Sequence, residues 1–190
     1  MRGREGRLKL NLRLKMERSK LFLLIGIFWL VIIIGFVAVK EYTLQTGTEV
    51  LLKTIPVDPR DLFRGDYITL NYEISTLDLS SLKTDSIGFN NNDWVYVALN
   101  KKDIYEIPSG VYKNAPKEEL FIKGVVKYVR DNKLGIEYGI ESYFVPEGEG
   151  KEIERLQRSQ TLDVQVSIDK FGNAVIKKLL IDGKEADFKS

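Results

Sequence analysis

Two patterns of apolar and polar positions divide the 190 residues. Residues 21–39 read LFLLIGIFWLVIIIGFVAV, 19 positions without a charge. From residue 44 onward, apolar and polar side chains alternate in short runs, and long helical periodicity is scarce. The alternation predicts strands at 48–55, 67–74, 94–100, 103–107, 119–130, 133–140, 161–169 and 174–181. Asp131-Asn132, the stretch DKFGN at 169–173 and Asp182-Gly183 are expected hairpin turns. EGKEIERLQR, within 149–158, is expected to form a short helix, and 75–93 a long loop. The fold class that follows is mainly β, a sandwich or partly open barrel with one short helix, preceded by a single N-terminal transmembrane helix.

As a helix the uncharged run spans about 28 Å, close to the hydrocarbon core of a bilayer. Fifteen of its 19 residues are Leu, Ile, Phe or Val, and at about −0.3 to −0.6 kcal/mol each they favour insertion by several kcal/mol. A cleaved signal peptide needs a shorter apolar region ending in a small-residue site, whereas Val37-Ala38-Val39 ends in Val. The expectation is an uncleaved anchor. Three regions follow: a basic arm at 1–20, the span at 21–39, and a β-rich domain at 40–190.

Charge assigns the sides. Arg2, Arg4, Arg7, Lys9, Arg13, Lys15, Arg18 and Lys20 face only Glu5 and Glu17 in the arm. The rest of the chain is mildly acidic, with 21 basic and 25 acidic groups. The positive-inside rule then holds the N-terminus in the cytoplasm and exports the domain. Met16 is a second candidate start. Nucleic acid is not an expected partner, since the positive charge lies on the arm and not on a folded surface.

The chain has no cysteine and no histidine. Disulfides, thiolate nucleophiles, Cys/His zinc sites and imidazole-based triads are thereby excluded. Neither a cofactor nor a metal is expected. Asp58, Asp61 and Asp66, or Glu147, Glu149 and Glu152, offer calcium oxygens, but neither set has EF-hand spacing and both read as solvated turns. Arg64-Gly65-Asp66 runs straight into a strand rather than a loop tip, so the adhesion tripeptide is a coincidence. Ser80-Ser81-Leu82-Lys83 lacks the companion motifs of a serine β-lactamase.

One stretch stands out. In RGDYITLNYEI (64–74), Ile68, Leu70, Tyr72 and Ile74 fall on one side of a strand, with Tyr67, Thr69, Asn71 and Glu73 on the other. Gly65 can take a positive φ and Asp66 can accept backbone N–H bonds at the bend, so turn-then-strand explains both. It does not explain why Asp58, Arg60, Asp61, Arg64 and Asp66 crowd together. They either brace the loop as salt bridges of small individual worth or present arginine to an acidic group. A second stretch, Tyr143-Phe144-Val145-Pro146-Glu147-Gly148, places Tyr143 and Phe144 on opposite faces of a strand that ends at Pro146.

Residues 65–72, GDYITLNY, fit the signature of the GDYXXLXY family at every specified position: Gly65, Asp66, Tyr67, Leu70 and Tyr72. PVDPRDLFRGDY (56–67) resembles that family's lead-in, and YGIESYFVPEGEGKEIE (138–154) is similar to its second recurrent segment. The resemblance implies a membrane-anchored bacterial or archaeal protein with a β-domain, and no known reaction. It also implies a multi-span membrane protein as partner. Type I signal peptidases are similar in being anchored, β-rich and exported. There a Gly-Asp step follows a turn bearing the catalytic serine, and this chain has no serine between Pro56 and Asp66.

The expected function is therefore a non-enzymatic envelope module that binds a neighbouring membrane protein. Asp58, Arg60, Asp61, Arg64, Tyr143 and Glu147 are the binding candidates. Gly65, Asp66, Tyr67, Leu70, Tyr72, Pro146 and Gly148 are expected to be structural. The competing readings are a hydrolase of unfamiliar type that uses carboxylates of the 58–66 loop, and a signal-peptidase-like fold without the serine.

Overall fold

A computed structural model describes residues 3–55, 67–86, 88–146 and 162–186, with residues 3–19 described by their backbone alone. The chain divides into two compact units, residues 1–41 and 42–190. The first is most of a single α-helix, α1, Gly3–Thr46. It extends the expected span in both directions, because Arg, Lys, Leu and Met in the arm are strong helix formers and no proline interrupts them. Between Lys20 and Thr46 it is long and apolar enough to cross a membrane, and its large apolar side chains are exposed.

The second unit is built of β-strands. β1 (Thr48–Lys53), β10 (Leu162–Ile168), β11 (Ala174–Ile181) and β12 (Lys184–Glu185) form an antiparallel sheet in the order β1-β10-β11-β12. A six-stranded sheet runs β3-β8-β7-β5-β6-β4. Its strands are β3 (Thr76–Asp78), β4 (Lys83–Thr84), β5 (Trp94–Lys102), β6 (Tyr105–Tyr112), β7 (Phe121–Arg130) and β8 (Lys133–Glu137). β2 (Tyr67–Thr69) and β9 (Ser142–Phe144) pair as a separate antiparallel ribbon. The sheets are open, and one core joins all three: Leu52 and Val164 from the first, Val97 and Ile122 from the second, Ile68 from the ribbon.

Hairpin chemistry matches the sequence closely. Asp131 and Asn132 both take positive φ, 48° and 63°, and join β7 to β8. Asp182 and Gly183 do the same for β11 and β12. The 169–173 turn closes through Gly172 N–H to Asp169 O at 3.0 Å.

Three expectations change. The 103–107 strand begins at Tyr105 and continues to Tyr112, because Asp103, at φ 58°, and Ile104 are the turn of a two-residue hairpin. The expected strand 67–74 pairs with β9 only as far as Thr69; Tyr72 then bridges Thr54, and Glu73–Ser75 form a short 3-10 turn. The 75–93 loop contains β3 and β4, whose partners β8 and β6 are distant in sequence. Two- and three-residue strands carry too few positions for an alternation to be read. The 149–158 helix lies outside the described residues.

Candidate functional site

The ribbon brings the two motif segments together. Tyr67 stands opposite Phe144, Ile68 opposite Tyr143, and Thr69 opposite Ser142. Side chains on a strand alternate, so one side of GDYITLNY must face inward. Burial follows that rule beyond the paired residues: Ile68, Leu70, Tyr72 and Ile74 are buried, while Tyr67, Thr69, Asn71 and Glu73 are exposed.

Two tyrosines lock the arrangement. Tyr72 OH donates to Ile140 O at 2.6 Å, and Tyr138 OH donates to Ile74 O at 2.6 Å, so the segment after β2 and the segment before β9 are each held by the other's phenol. Burial pushes both hydroxyls well above the ordinary tyrosine range, and the nearby Glu141 carboxylate adds to the shift. Both phenols are therefore fixed as donors. Glu141 accepts from Tyr138 N–H at 2.5 Å and Gly139 N–H at 2.8 Å, while Leu70 N–H bonds Glu141 O at 2.8 Å. Leu70 and Tyr72 of the signature are thus core and clamp residues.

Tyr67 is different. It is 52% exposed and meets Phe144, 58% exposed, edge to face with ring centroids 5.4 Å apart. Two large aromatics packed on each other yet open to solvent are the kind of anchor that protein interfaces use. Phe144 was not among the sequence candidates; the alternation separates it from Tyr143, but only the register shows which of the two is outward. Tyr143 is half-buried beside the core, and burial, with Glu185 adding, raises its hydroxyl. Pro146 follows buried Val145 and ends the described part of this segment.

Asp58, Arg60, Asp61, Arg64, Gly65, Asp66, Glu147 and Gly148 lie outside the described residues. Their points of departure do not. Ile55 N–H bonds Asn71 O at 2.8 Å, and the Thr54 hydroxyl bonds Leu162 O. The 56–66 segment leaves at Ile55 and returns at Tyr67; the 147–161 segment leaves at Pro146 and returns at Leu162. Tyr67 lies in the ribbon and Pro146 two residues past it, while Ile55 is held to Asn71 and Leu162 to Thr54.

A second feature is a cleft of about 340 Å³, lined by Lys53, Glu73, Lys102, Tyr105 and Glu106 among others. Behind it Tyr105 OH donates to Asp163 Oδ2 at 2.8 Å, while Asp163 Oδ1 is buried without a partner among the described residues. Burial pushes the Asp163 carboxyl up, against the lowering effects of the Tyr105 bond and Lys53. Asp78 also lines the cleft, its Oδ1 accepting from the Ser80 hydroxyl at 2.5 Å and from Ser80 N–H at 2.9 Å. Among the described residues no group of three or more potential metal ligands gathers.

The sequence model of the GDYXXLXY protein family matches residues 29–179, most of the chain and all of the ribbon. The chain belongs to the GDYXXLXY family. No curated protein and no solved structure matches it. In this GDYXXLXY protein the signature's Leu70 and Tyr72 build the domain, and its Tyr67 faces outward.

Proposed function

We propose that the protein is a membrane-anchored, non-enzymatic interaction module whose β2–β9 ribbon binds a neighbouring membrane protein. The observation that carries this is the exposed Tyr67–Phe144 pair at the junction of both motif segments. Arg, Asp and Glu side chains of the 58–64 and 147 positions, next in sequence to the ribbon's two segments, are the polar groups that would accompany this aromatic centre in an interface. Arg60 and Arg64 are the donors best able to reach outward to a carboxylate.

The basic arm supports a cytoplasmic N-terminus with the domain on the other side of the cytoplasmic membrane. Protease added to intact spheroplasts should digest the β-domain, and a fully protected domain would reverse this orientation.

Co-purification from solubilised membranes tests the binding reading. The wild-type chain should bring down one integral membrane protein in stoichiometric amount. Tyr67→Ala combined with Phe144→Ala should abolish that capture, and Arg60→Ala or Arg64→Ala should weaken it.

A further inference from the structure

The 169–173 turn is held rigid at a fixed place in the domain. The Asp169 carboxylate accepts from Phe171 N–H, Asn173 N–H and Asn173 Nδ2, each at 2.9 Å, and from the Thr43 hydroxyl at 3.0 Å. Thr43 O in turn accepts from the Ser167 hydroxyl at 2.6 Å and from Gly47 N–H at 3.0 Å. On this scaffold Phe171 is 58% exposed, with Lys170 Nζ 5.1 Å from its ring centroid. A second aromatic–lysine pair flanks the turn: Lys123 N–H bonds Gly172 O at 2.8 Å, and Lys123 Nζ sits 4.2 Å from the ring centroid of Trp94, itself 58% exposed.

Thr43 is three residues past Lys40, the first charge after the apolar run. Three residues of chain reach at most about 11 Å, and each headgroup layer of a bilayer is roughly 5–8 Å deep. The covalent tether therefore keeps the turn close to the membrane surface whatever direction the chain takes. Exposed Phe and Trp bodies with lysine heads suit that layer, the ring among the upper acyl carbons and the ammonium beside phosphate.

We propose that the turn carrying Lys170 and Phe171, flanked by Trp94, is a lipid-headgroup contact that seats the domain on its own membrane. Lys117 and Lys170 share the adjoining surface with Glu118 and Glu119, so their charges offset. The contact is therefore aromatic in origin and does not depend on anionic lipid. It rests on residues 21–39 crossing a bilayer and is independent of the partner reading.

The natural absence of cysteine makes single-cysteine labelling clean. A nitroxide on Lys170→Cys leaves Phe171 in place; Ile104→Cys is the control, exposed at the hairpin beside Tyr105, at the opposite end of β10. The full chain goes into nanodiscs of phosphatidylcholine, alone or with phosphatidylglycerol, and collision with a water-soluble nickel chelate is read. The label at 170 should be shielded severalfold relative to 104 in both discs, and Phe171→Ala should remove that shielding with the melting curve unchanged. Equal accessibility at 170 and 104 would overturn the contact. Shielding confined to anionic discs, or untouched by Phe171→Ala, would overturn its aromatic origin.

Discussion

Replacing Tyr72 by alanine should cost the β-domain about 4 kcal/mol, the largest effect of any single signature residue. Tyr72 has no exposed surface and sits where the ribbon, the Thr54 bridge and the six-stranded sheet share one core. Truncation leaves a cavity the size of a phenol and strips Ile140 O of its donor in a place water does not reach. Tyr72→Phe keeps the ring and loses only the hydroxyl, so it should cost about 1 to 2 kcal/mol. Urea unfolding of the two variants separates the contributions. Equal midpoints for Tyr72→Phe and wild type would show that the phenol clamp adds nothing.

The second large effect is expected at Asp169, far from the signature. Asp169→Ala removes one carboxylate that serves four donors from three residues, at a cost of about 3 kcal/mol. Burial alone would raise the Asp169 carboxyl, but the bonds from Asn173, Phe171 and Thr43 outweigh it and hold the group below the ordinary aspartate value. The ionised form is therefore the one the fold favours. Its contribution is fully present above the unfolded-chain value and is lost as pH falls through the lower folded-state value. The gap between wild type and Asp169→Ala, large at pH 7, should close on acidification. Melting curves across that range check it, and a gap that widens toward acid would contradict the assignment.

Much of this was legible in the sequence, for reasons that vary by residue. The apolar run and the turns at 131–132, 169–173 and 182–183 depend on local composition and backbone preference, which a sequence carries directly. The alternation of 67–74 also survives as burial, although the stretch changes partners twice along its length. Pairing is nonlocal, and no local pattern states it. For the same reason Asp163 and Ser167 sit on the polar side of β10, and Asp169 just past its end, yet all three are buried. Their cover comes from Tyr105 and Thr43, 58 to 126 positions away. The candidate site shows both cases. Leu70 and Tyr72 could be assigned inward from period alone, whereas the outward pairing of Tyr67 with Phe144 required the register of two segments some 70 residues apart.

The aromatic pair, proposed as a recognition surface, is open to a direct test. The measurement that bears on it most directly is the co-purification of the Tyr67→Ala, Phe144→Ala double variant, run beside its melting curve. Both rings are more than half exposed, so truncating them should leave the melting curve close to wild type while the membrane-protein partner disappears from the eluate. Full retention of the partner by a folded double variant would contradict the proposal.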